Sequence, residues 1–165
     1  MSLNIKQIFE QATTAHQEHK FELAEKLYRK ILLSHPKSAS VYNNLAALLD
    51  NIGKIDESVS NYKKAIEIKP DFIEAYFNLA KILVKLNKLD EAKIYYKKII
   101  ELKSDIPEAY KNLGIIFSKL NKLDEAEKNY KKSIEVENEF INIVGYIKSG
   151  DWESSEENLE KFCLK

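Results

Sequence analysis

KLNKLDEA, residues Lys85 to Ala92, occurs again at Lys119 to Ala126, 34 residues further along the chain. The interval extends well beyond this octapeptide. Tyr28, Tyr62, Tyr96 and Tyr130 stand at the same spacing, with Ala24, Ser58, Ala92 and Ala126 four residues before each. Tyr42, Tyr76 and Tyr110 open the other half of the period, followed three residues later by Leu45, Leu79 and Leu113. A fixed period of this length marks supersecondary units that cannot bury their apolar faces alone and must stack on their neighbours.

Each period reads as two helices. Tyr76, Leu79, Ala80 and Leu83 form one apolar stripe at helical spacing, and Leu89, Ala92, Tyr96 and Ile99 form a second. Between the stripes, Gly53, Asn87, Asn121 and Gly150 occupy equivalent places. Glycine and asparagine are the residues that most readily take the left-handed conformation ending a helix. Asp56, Asp90 and Asp124 follow three residues later and are expected to cap the next helix through their side chains. Pro36 and Pro70 close the second helices, and Asp71 with Glu74, and Asp105 with Glu108, have the spacing of a capping box. Pro107 falls in a first turn, where its missing N–H costs little. Small residues at Ala46, Ala80 and Gly114 alternate with the large tyrosines, leaving gaps that allow close helix approach.

Composition narrows the function. Twenty-six basic and 26 acidic residues leave no net charge, which argues against nucleic acid, whose binding draws on clustered positive charge. The charge is uneven, with eight acidic and three basic residues from Glu135 onward. No segment approaches the roughly 20 apolar residues of a membrane span, and the first 20 residues do not resemble a signal peptide. The single cysteine, Cys163, has no internal partner and lacks a recognisable base, so it is read as an incidental thiol. The cytoplasm is the expected location. No phosphate-binding loop, nucleophile elbow or metal-protease motif is present, so neither catalysis nor a cofactor is expected. His16 and His19 share a helix end without a carboxylate or cysteine cluster, too little for a metal site.

The pattern of large, Leu, small, large, Ala, aromatic, Ala, Pro resembles that of the tetratricopeptide-repeat (TPR) proteins. The second period carries it best, in Tyr42, Leu45, Ala46, Leu49, Ser58, Tyr62, Ala65 and Pro70. The resemblance implies an all-α, right-handed superhelical solenoid of antiparallel helix pairs. A single domain over 1–165 is expected, with repeats at 5–38, 39–72, 73–106 and 107–140. Residues 141–165 are read as a degenerate fifth repeat acting as a cap, with Trp152, Leu159 and Phe162 on its apolar face. Repeat one diverges most, with Gln11 where leucine is usual and no evident cap before it.

In such a solenoid the first helices line a concave groove. Asn44, Asn78 and Asn112 recur at one register there. Asparagine costs a few tenths of a kcal/mol or more against alanine in a helix, but its amide donates and accepts together and so can hold the backbone of an extended peptide. The ladder resembles the asparagine-lined groove of a glycosyltransferase's repeat arm; bonding only between neighbouring helices is the plainer alternative. Asn43, Phe77, Lys81, Lys111 and Ile115 complete the candidate groove, with Phe9, Thr13, Ala47 and Val84 as further lining. Family members that clamp a C-terminal carboxylate present Lys and Asn, then Asn, then Lys and Arg, where this chain has Phe9, Thr13, Asn44, Glu74 and Asn78, or Asn43, Ala47, Asn78, Glu108 and Asn112; neither set supplies the cations, so that ligand is not expected. The paired cations Arg29/Lys30, Lys63/Lys64, Lys97/Lys98 and Lys131/Lys132 read as a solvated outer face balanced by glutamates such as Glu67, Glu101 and Glu135, with a basic stripe for an acidic partner as the alternative.

The expected function is therefore a non-catalytic scaffold binding a protein or peptide partner. The recruiting arm of a larger enzyme, and self-association through the divergent first repeat, are the alternatives.

Overall fold

The computed structural model describes the backbone of residues 4–149 and the side chains of residues 4–138. Eight helices are present among the described residues: α1 (Ile5–Gln17), α2 (Phe21–Ser34), α3 (Ala39–Asn51), α4 (Ile55–Ile68), α5 (Ile73–Lys85), α6 (Leu89–Leu102), α7 (Pro107–Lys119) and α8 (Leu123–Ser149). The fold is all-α, with helices in antiparallel pairs. Odd-numbered helices begin at 5, 39, 73 and 107, and even-numbered ones at 21, 55, 89 and 123, so the sequence period is also the structural one.

The chain divides into two compact units at Asn87 and Lys88. In the first, α1 pairs with α2 and α3 with α4, while α2 packs on α3 and α4 on α5. Ala24, Tyr28 and Ile31 of α2 meet Val41, Leu45 and Leu48 of α3 in its core. Burying each large side chain is worth roughly 1.5–3 kcal/mol, more than the helix propensity of any residue in the stripe, so packing holds these helices. In the second unit, α7 pairs with α8 and α6 packs on α7. Tyr96, Ile99, Leu113 and Ile116 are buried there.

Two serines replace apolar residues in these cores, and both are satisfied. Ser58 donates to the Ala46 carbonyl at 2.7 Å, and Ser133 to the Pro107 carbonyl at 2.9 Å. An unpartnered buried hydroxyl would cost about 1–3 kcal/mol. Arg29 bonds Glu25 within α2 at 2.9 Å and reaches Glu57 of α4 at 2.8 Å, and Lys54, before α4, meets Glu25 at 3.2 Å.

Gly53, Asn87 and Asn121 have φ of +78°, +57° and +56°, the left-handed region expected of them. His19 holds the same place in the first repeat, at φ +59°, which the sequence reading missed. Gly150 lies outside the described residues.

The helix starts differ from expectation. Lys54 and Lys88 are the N-cap residues of α4 and α6, and no side chain caps either helix. Asp56, Asp90 and Asp124 lie in the first turn instead, where a carboxylate opposes the positive end of the helix dipole without closing a cap. The capping boxes expected at Asp71/Glu74 and Asp105/Glu108 are likewise absent, since Phe72 and Ile106 are the N-caps. A reciprocal box forms where no cap was expected: Gln7 N–H donates to Asn4 Oδ1 at 2.9 Å, and Asn4 N–H to Gln7 Oε1 at 3.0 Å.

Helix α8 is the other departure. His35 and Lys69, each before a proline, leave helical geometry and end α2 and α4, Lys69 in the extended region. Asn138 holds the place of those prolines, and α8 continues through it to Ser149. The first helix expected after Phe140 thus has its opening residues inside α8, and the remainder of the expected cap, with Trp152, Leu159, Phe162 and Cys163, lies outside the described residues.

Candidate functional site

The candidate residues of the first unit lie on α3 and α5. Asn44 and Asn78 are half-buried, Phe77 is half-buried, and Lys81 is exposed. Asn43, expected in the groove, is only 1% exposed. Its Nδ2 donates to Glu74 Oε1 at 2.9 Å and, at the long limit of 3.4 Å, to Asn44 Oδ1, while its Oδ1 accepts from Asn78 Nδ2 at 3.4 Å. Asn43 is therefore withdrawn from any ligand. It is a buried tie between two successive first helices that fixes the amides of Asn44 and Asn78 on either side of it.

This is a partial ladder with a foundation. The alternative in which the asparagines bond between neighbouring helices is met in part, because Asn78 reaches back to α3. Glu74, exposed at the edge of the network, gives the site an acidic end. At the other side of Asn44 lies the buried Tyr28 hydroxyl, which has no hydrogen-bond partner of ordinary distance and angle. Burial pushes its pKa up, and the Asn44 amide acts in the opposite direction, placing it close to the ring's polar end.

Below the network, the Tyr62 hydroxyl is held well above its ordinary pKa by burial first, and then by the charges of Asp50 and Glu74. It stays neutral. Asp50 is paired with Lys85 at 3.2 Å.

In the second unit, α7 carries Lys111 exposed and Asn112 and Ile115 half-buried. Gly114, next to Ile115 in the chain, faces Tyr130 so closely that a Cβ there would lie 2.7 Å from the ring. The outer faces of the second helices behave as their spacing suggested: Lys64 with Glu67, Lys98 with Glu101, and Lys132 with Glu135 each close at 2.9 Å.

Among the described residues no three His, Cys, Asp or Glu side chains gather where a metal could be held, and no helix is long and apolar enough to cross a membrane. His16 instead meets Asn51 at 2.9 Å and lies edge-on to Phe21 and Tyr28.

The helix pairs recurring every 34 residues agree with four family matches. A model described as TPR repeat fits residues 51–87, and models described as tetratricopeptide repeat fit 27–59, 73–106 and 107–140. The chain belongs to the tetratricopeptide-repeat family. TPR domains typically mediate protein–protein interactions. Among solved structures, this TPR chain is similar to a crystal structure of MamA at 22% identity and a TM-score of 0.80, over 84% of this chain and 81% of that one. It is also similar to MamA residues 41 to the end from Desulfovibrio magneticus RS-1, at 15% identity and a TM-score of 0.74, over 99% and 96% of the two chains. At these identities the likeness is one of fold. No curated protein matches by sequence.

The reading of the TPR pattern missed the role of Asn43 and Glu74. A signal was present: position 43 is equivalent to Phe9, Phe77 and Lys111, so an asparagine there departs from its own repeats. Such a departure one residue from Asn44 marks a special contact.

Proposed function

We propose that this TPR protein is a non-catalytic interaction module that holds an extended peptide or partner helix against its first helices. The observation that carries the reading is the Asn43 network, which presents Asn44 and Asn78 half-exposed with their positions fixed from beneath. Pre-ordered amides lose little side-chain entropy when they take up a peptide backbone. Phe77 and Lys81 supply apolar area and charge beside them, and Asn112, Lys111 and Ile115 supply the same chemistry on α7. The absence of cations in the clamp positions favours a ligand held by its backbone over one held by a terminal carboxylate. A cytoplasmic partner fits the unpaired cysteine and the lack of any apolar span among the described helices.

The test is selection from a displayed library of extended peptides, comparing wild type with Asn44→Ala, Asn78→Ala and Asn112→Ala combined. Peptides enriched by the wild type and lost by the variant, with helix content unchanged, support the reading. Equal enrichment by both proteins rejects it.

A further inference from the structure

On α5, Glu74, Phe77, Asn78 and Lys81 follow one another at helical spacing and so share one face of the helix. The face is charged at both ends. At the rise of an α-helix, Glu74 lies about 6 Å before Asn78 along the axis and Lys81 about 4.5 Å beyond it. The neighbouring first helix, α3, has Ser40 and Ala47 at the two equivalent places, so it carries no charge at either. Both Glu74 and Lys81 are exposed, and among the described residues neither closes an ion pair. Lys85, one turn on, is by contrast paired with Asp50.

A solvated charge on a helix needs no account, but Glu74 is held. The buried Asn43 donates to its Oε1 at 2.9 Å, and among the described residues nothing bonds its Oε2. A carboxylate ordered from beneath loses little freedom on meeting a cation. Phe77, one turn further along, offers a half-buried ring on which the methylenes of a lysine or arginine can lie.

From this arrangement we infer that the ligand of the groove is an extended segment carrying a basic and an acidic residue side by side, the cation taken by Glu74 and the carboxylate by Lys81. The inference rests on the peptide-binding reading and gives it a charge pattern. The spacing follows from the geometry of an extended chain. A backbone bonded to the amides of Asn44 and Asn78 crosses from α3 to α5 with its N–H and C=O groups directed at those helices. Successive side chains then point to opposite sides, one toward Glu74 and the next toward Lys81. Opposite charges are thus selected at odd separations along the ligand, and an acidic residue on the Glu74 side is repelled.

Selection from the displayed library of extended peptides tests it, with wild type, Glu74→Gln and Lys81→Glu run in parallel. Glutamine keeps an acceptor for Asn43, and Lys81 is exposed, so helix content should be preserved in both variants. Wild type should enrich a basic residue beside an acidic one. Glu74→Gln should lose the basic preference and keep the acidic one, whereas Lys81→Glu should turn the acidic preference into a basic one. In a synthetic copy of one enriched peptide, exchanging the basic residue for glutamine should weaken binding to wild type about threefold and leave binding to Glu74→Gln unchanged. Enriched peptides without such a charge pair, with the pair at even separations, or with a pair that both variants still select, overturn the inference while the peptide-binding reading stands. A library from which wild type enriches nothing overturns both.

Discussion

Asn43 donates its amide to Glu74 across two successive first helices, at 2.9 Å and from a position almost closed to solvent. A buried amide bonded to a charged group is among the stronger hydrogen bonds, and removing it leaves neighbouring polar atoms unmatched. Asn43→Ala should therefore lower stability by about 2 kcal/mol. Glu74→Gln, which leaves an acceptor at the exposed end, should cost about 1 kcal/mol or less. Chemical denaturation of the two variants checks the order, and equal losses would assign the whole effect to the Glu74 charge and none to the bonds Asn43 makes with Asn44 and Asn78.

Gly114 and Tyr130 make the opposite kind of contact. Alanine in mid-helix gains about 1 kcal/mol over glycine from propensity, and Ala46 and Ala80 hold the equivalent places. At Gly114, however, the new methyl would meet the ring face of Tyr130 at 2.7–3.0 Å. Overpacking of that sort typically costs 1–3 kcal/mol, so a net loss of about 1 kcal/mol is expected for Gly114→Ala. Adding Tyr130→Leu should remove the penalty, a coupling that a double-mutant cycle measures directly.

The Tyr28 hydroxyl is buried without a bond of ordinary geometry. Removing an unmatched polar group is neutral or favourable. Tyr28→Phe should thus leave the melting temperature unchanged or raise it, whereas a loss above about 1 kcal/mol would reveal a working bond to Asn44. The edge-to-face contact of the ring with Phe9, at 6.2 Å, is kept in the variant.

His16 predicts a pH dependence. Burial first, and the charge of His19 second, hold its pKa below the ordinary value. With the Asn51 amide oriented to donate, His16 accepts at Nε2 and is neutral. A base with a depressed folded pKa binds fewer protons when folded, so its stability contribution is complete above the unfolded value of about 6.5 and is lost as pH falls below it. Hydrogen exchange in α1 and α2 should quicken between pH 7 and pH 5.5 beyond its intrinsic change, and His16→Asn should flatten that dependence. An identical profile in the variant would assign the effect elsewhere.

Helix phase was legible because apolar residues repeat at helical spacing and burial rewards them in every repeat. The left-handed turns were legible where glycine or asparagine marked them, but His19 carries no such mark. The aspartates misled because the turns are tight: counting from Gly53 or Asn87, the carboxylate falls on the second residue of the helix, past the N-cap position that Lys54 or Lys88 holds. Asn43 was misplaced for a different reason. Register tells which helix face a residue shares with its equivalents, not which partner comes from the adjacent helix, and Glu74 enters only in three dimensions. The continuation of α8 follows from a missing stop, a weak signal, since α6 ends before Ser104 with no proline at all.

The strict spacing of helix starts makes the length of this protein a discrete variable. Excising residues 73–106 would join Phe72 to Pro107, and the chain would pass from the end of one hairpin to the start of another with every turn residue in its usual place. A cut that is not a whole number of hairpins would bring a helix face into the wrong phase. Recombination within its coding sequence is thereby restricted to steps of one whole hairpin, and a lineage of such proteins can lengthen or shorten without passing through an unfolded intermediate form.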